Sequence, residues 1–65
     1  MSTIKQQLSN IREKQNIGLY DLSKRSGVAY SVLYYIENNR RDVHVSTALK
    51  IAKALNVTVE DLFEL

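Results

Sequence analysis

Tyr30, Tyr34 and Tyr35 fall within six residues of the stretch SGVAYSVLYYIENNRR, which closes on Arg40 and Arg41. A phenol can donate or accept a hydrogen bond while its ring packs on an apolar surface. A guanidinium pair offers forks of donors suited to phosphate or carboxylate. Ser31 adds a small hydroxyl beside them. These are groups that bind rather than react. His44 is the only histidine, cysteine is absent, and there is neither a glycine-rich phosphate loop nor a cluster with metal-ligand spacing. Glu60 and Asp61 are adjacent, but they fall where a helix should start, and negative charge there suits the helix dipole. The expectation is a protein that is not an enzyme and needs no metal or cofactor.

The charge is unevenly placed. Residues 1–41 hold seven Lys or Arg against three acids, a balance of +4, whereas residues 42–65 carry −2. The basic part contains the tyrosines, which points weakly to a polyanionic partner. A chain of 65 residues has room for one domain, 1–65, and buries only about 60% of the surface its unfolded form exposes. Without cysteines, no disulfide can supply the missing stability. No run approaches the ~20 apolar residues of a membrane span and no signal-peptide pattern opens the chain, so no membrane association and a cytoplasmic location are expected.

The elements that must hold these residues read as helices. Proline is absent and glycine occurs twice, at Gly18 and Gly27, which suits short helices better than a turn-rich sheet. Ile4, Leu8 and Ile11 recur at helical steps, with Ser2 or Thr3 as a cap and the pattern fading at Asn16. A second helix is expected at about 19–26, with Leu19 or Leu22 inward and Gly27 closing it in a left-handed conformation. A third, at about 29–38, places Leu33 and Ile36 on one face, with Val32 at its margin and Asn39 as a left-handed terminator. Val45, Ala48, Leu49, Ala52 and Leu55 predict a fourth helix begun at His44 or Ser46. Thr58 and Asp61 resemble a capping box opening a last turn with Leu62 and Phe63.

On a wheel of 100° per residue, Leu33 and Ile36 set the inward direction of the third helix. Ser31, Tyr34, Tyr35 and Asn38 then face outward. Tyr30 sits on the flank, where packing and projection both remain open. A core tyrosine would lie in register with Leu33 and Ile36 and would need a partner for its hydroxyl.

Two short helices joined through a glycine match a helix-turn-helix. The stretches LSKRSGVAYSVLYYIENNRR and TALKIAKALNVTVEDLF resemble the phage repressor and Cro type of helix-turn-helix, the XRE family, from about Leu8 to Phe63. The most specific elements are Leu22, Gly27, Val28, Leu33, Ile36, Glu37 and LKIAKALNV. The resemblance implies an all-α fold, a compact five-helix lambda-repressor-like DNA-binding domain, with the third helix in the major groove. It implies base contacts from Ala29, Tyr30, Ser31, Tyr34 and Tyr35, and phosphate contacts from Lys24, Asn38, Arg40 and Arg41. It also implies an ion pair between Arg12 and Glu37. The sequence departs from the family at Leu19, where a phosphate-bonding Gln is common. It also lacks, on the recognition face, the Gln or Arg that reads bases bidentately.

The implied partner is double-stranded DNA, read as a two-fold operator by a homodimer of a transcriptional regulator, commonly a repressor. The tail VEDLFEL could supply part of the dimer interface through Val59, Leu62, Phe63 and Leu65, or Phe63 could close the monomer core. The alternative function is a protein–protein interaction module that uses the tyrosine face, since tyrosine is enriched at such interfaces.

Overall fold

The computed structural model describes residues 5–39 and 43–64, with side chains placed for all of these except 5, 6, 39, 63 and 64. Five helices form an all-α fold: α1 (Leu8–Lys14), α2 (Leu19–Ser26), α3 (Tyr30–Asn39), α4 (Val45–Leu55) and α5 (Val59–Leu62). Two short strands, β1 (Lys5–Gln6) and β2 (Phe63–Glu64), pair antiparallel with Lys5 opposite Glu64 and Gln6 opposite Phe63.

The first helix therefore starts later than its apolar spacing predicts. Ser2, Thr3 and Ile4 lie outside the described residues, and the cap position belongs to Gln7. Its N–H donates to the Leu62 carbonyl at 2.6 Å, and its side chain accepts from Asn10 at 2.8 Å. Backbone groups need partners; those of residues 5–7 find them at the far end of the chain, a long-range pairing that local periodicity cannot register.

The core is built from Leu8, Ile17, Leu22, Val28, Leu33, Ile36, Ala48, Ile51, Ala52, Leu55 and Leu62, and among the described residues no polar or charged side chain is buried with them. Packing of α2 against both α3 and α4 places Leu22 and Leu33 in the interior. Leu62 is wholly buried, so its side chain belongs to the monomer core and not to an outer tail surface. The inward stripe of α4 differs from expectation: Ala48, Ile51, Ala52 and Leu55 face in, while Val45 and Leu49 are exposed. On the wheel, Ala48 and Leu55 take the centre of the stripe, with Ile51 on one side and Ala52 on the other. That turns Val45 and Leu49 onto the flank.

The helix ends follow from backbone chemistry. Gly27 closes α2 at φ 77°. Asn56 closes α4 at φ 59°, and the Gln15 side chain donates to the Leu55 carbonyl at 2.8 Å, satisfying one of its last acceptors. Helix α3 runs through Asn39 rather than ending before it. Thr58 and Asp61 form the reciprocal capping box: each backbone N–H donates to the other's side-chain oxygen at 3.1 Å.

Two substitutions test this construction by urea unfolding. Gly27→Ala meets no atom within 4 Å, so its expected loss of ~1–2 kcal/mol is backbone strain alone. Leu33→Ala, in the core, is expected to cost about 2–5 kcal/mol.

Candidate nucleic-acid interface

The turn that joins α2 to α3 is stitched by its own polar groups. The Gly27 N–H donates to the Ser23 carbonyl at 3.0 Å. The Ser23 hydroxyl donates to the Val28 carbonyl at 2.7 Å, and the Val28 N–H donates to the Ser26 hydroxyl oxygen at 3.2 Å. The Ala29 carbonyl then accepts from Val32 and Leu33 at 3.0 and 3.1 Å and starts the next helix. With Leu22, Val28 and Leu33 buried beneath it, this turn sets the angle between the two helices. Sequence reasoning singled out Gly27 and missed Ser23 and Ser26. Serines flanking a turn glycine, able to bond local backbone, were the available signal.

Ala29, Ser31 and Asn38 are exposed, as are Tyr30, Tyr34 and Tyr35 at 48%, 56% and 48%. Of the predicted base-facing residues, Tyr30, Ser31, Tyr34 and Tyr35 thus share the outer side of α3, with Ala29 exposed just before its first turn, and Tyr30, left open by the wheel, projects outward with the others. Val32 is also exposed beside them. The Asn38 amide donates to the Tyr34 carbonyl at 2.8 Å, so one of its two donors is spent inside the helix. Lys24 is exposed on α2. Arg40 and Arg41 lie outside the described residues. Leu19, where the family often has Gln, is partly buried against the core, which accounts for an apolar residue there.

A bridge fixes α3 from the other side. Arg12 Nε donates to Glu37 Oε2 at 2.8 Å and Arg12 Nη2 to Glu37 Oε1 at 3.3 Å, while Nη1 donates to the Ile17 carbonyl at 3.0 Å. The two side chains are 17% and 11% exposed. One guanidinium therefore ties together α1, the α1–α2 connection and α3. The hydrogen bond to Glu37 raises the Arg12 pKa above its already high value; burial opposes this, and the charges of Glu37 and Glu13 and the Tyr30 phenol add to it. A raised base contributes stability that is lost only as pH climbs through its folded pKa. The guanidinium side of this bridge is thus intact at any physiological pH. The Asp21–Arg25 contact at 3.3 Å is about half exposed and contributes little.

A helix-turn-helix family model matches residues 8–62, from the start of α1 to the end of α5. The chain belongs to the XRE-type helix-turn-helix family. It is 35% identical over 60 residues to an uncharacterized HTH-type transcriptional regulator of Methanocaldococcus jannaschii, covering 92% of this chain and 91% of that one. It is 30% identical over 56 residues to a second uncharacterized HTH-type transcriptional regulator, from Archaeoglobus fulgidus, covering 86% of this chain and 79% of that one. Membership and these relatives support DNA binding in transcription regulation as the general role. Among the described residues, no helix is long and apolar enough to cross a membrane and no group of acidic or histidine side chains could hold a metal ion.

Removing the bridge separates its weight from that of the exposed pair. Arg12→Ala is expected to lower unfolding free energy by about 2 kcal/mol, since a partly buried carboxylate loses charge-assisted bonds. Arg25→Ala should change it by less than ~0.5 kcal/mol. Paired urea titrations check both.

Proposed function

We propose that this protein is a sequence-specific regulator, in the commoner family manner a repressor, that lays α3 in the DNA major groove. The observation that carries the reading is the division of α3: Leu33 and Ile36 are buried while Tyr30, Ser31, Tyr34 and Tyr35 share the open side, with Ala29 exposed just before it. The major groove, about 12 Å wide, admits one helix with its side chains. On this reading Tyr30 and Tyr35 make the main base-edge contacts, with hydroxyls on polar edges and rings on thymine methyls, and Ser31 bonds with low discrimination. Tyr34 partly serves the backbone. Lys24, Asn38, Arg40 and Arg41 take phosphates, which position the protein without reading sequence.

A single helix reads only a few base pairs, and a two-fold operator engages two copies on half-sites about one turn of DNA apart. We propose a homodimer acting in the cytoplasm on such a site. Outside α2 and α3, Val45 and Leu49 are the exposed large apolar side chains among the described residues. They lie one helical turn apart on α4 and support a contact between copies.

Three measurements test these statements. Tyr35→Ala should lower the ratio of cognate to random-sequence affinity by about tenfold, within the ~1–3 kcal/mol range of a base contact. Arg41→Ala should weaken binding to all sequences and reduce the salt slope by about 1. Sedimentation at several concentrations should show a dimer that Leu49→Ser shifts toward monomer. A steep fall of DNA affinity with salt is expected throughout; a salt-insensitive complex with a protein, and none with DNA, would overturn the reading in favour of an interaction module.

A further inference from the structure

The tyrosine outside the recognition stretch is the most exposed of the four. Tyr20, on α2, is 69% exposed. One turn later, Lys24 holds its Nζ 5.4 Å from the Tyr20 ring centroid, inside the ~6 Å reach of a cation–π contact. Residues four apart share a helix face, so ring and ammonium lie together on the side of α2 away from the buried Leu22.

The neighbouring cation is held differently. Arg25 is met by the Asp21 carboxylate, so its charge is answered within the protein. Lys24 has no carboxylate within ion-pair distance among the described residues. This difference decides what each cation can offer to a polyanion. A carboxylate that orients a lysine also competes with an incoming phosphate for it. An aromatic face orients the ammonium through its quadrupole without neutralising its charge, and leaves the donors not turned to the ring for an incoming anion. A free lysine side chain surrenders most of its rotamer freedom on docking. Over the Tyr20 ring, part of that freedom is already gone before any partner arrives, which favours binding.

We infer that Tyr20 is a positioning residue for DNA binding, its ring holding the Lys24 ammonium, un-neutralised, for a phosphate of the duplex backbone. The inference rests on the proposed DNA-binding role and extends it from α3 to the face of α2.

The test is a double-mutant cycle on a random-sequence duplex at several salt concentrations, using the intact chain with Tyr20→Ala, Tyr20→Phe, Lys24→Ala and the Tyr20→Ala/Lys24→Ala double variant. Lys24→Ala is expected to reduce the salt slope by about 1. Tyr20→Ala is expected to weaken binding about two- to fivefold, the weight of an exposed cation–π contact, and to have no further effect once Lys24 is gone. Tyr20→Phe keeps the ring and should bind like the parent. Alanine is a better helix former than tyrosine, so a weakened Tyr20→Ala protein with unchanged thermal unfolding has not lost α2. Equal binding by Tyr20→Ala and the parent overturns the inference, as does the same loss in both Lys24 backgrounds, or a Tyr20→Phe protein as weak as Tyr20→Ala. If the parent shows no salt-dependent duplex binding, the DNA reading falls as well. If it binds and Tyr35→Ala alters site preference while Tyr20 variants change nothing, the positioning role alone falls.

Discussion

Burial of Leu33 and Ile36 governs everything on the outer side of α3. In a helix the directions of all side chains are set by the few that are anchored, and these two sit in a core with no polar side chain among the described residues. Any tyrosine turned inward would bring a hydroxyl into a region that, among the described residues, holds no polar side chain to meet it. The aromatic side chains are thereby sent outward, where three of them line one side of a helix only ten residues long. The exposed face follows from the packed one.

That anchoring would leave α3 free to rock about its apolar contact, and two polar devices restrain it. At its start, the hydroxyls of Ser23 and Ser26 bond the backbone of Val28 across the Gly27 turn. Toward its end, Arg12 grips Glu37 with two nitrogens and the Ile17 carbonyl with the third. A two-nitrogen grip fixes orientation as well as distance, so its value here is geometric more than energetic. Both devices lie behind the exposed face and leave it open.

Without Gln or Arg on the outer side of α3, the proposed reading of bases would fall on phenols, which combine an apolar ring with one hydroxyl and lose little conformational freedom when they dock. Attraction to the duplex as a whole would then come from cations placed around that face rather than within it, and the ordering of such cations before contact becomes the useful property. Division of labour between neutral readers and charged flanks separates specificity from affinity.

What the sequence determined by itself was the repetitive and the local. Three- and four-residue apolar steps gave α2 and α3 their bounds to within a residue, Gly27 marked its left-handed turn, Thr58 and Asp61 their capping box, and the wheel on Leu33 and Ile36 separated Tyr34 and Tyr35 from the core. Those features depend on residues a few positions apart. Tertiary structure decided what distant segments settle together. It set the late start of α1, because residues 5–7 bond the other end of the chain, and it drew the α4 stripe toward Ile51, leaving Val45 and Leu49 outside. It resolved the direction of Tyr30, which the wheel left between faces. It also set Lys24 over Tyr20, a contact whose spacing was legible but whose choice of ring over carboxylate depends on which rotamers the folded surface leaves open.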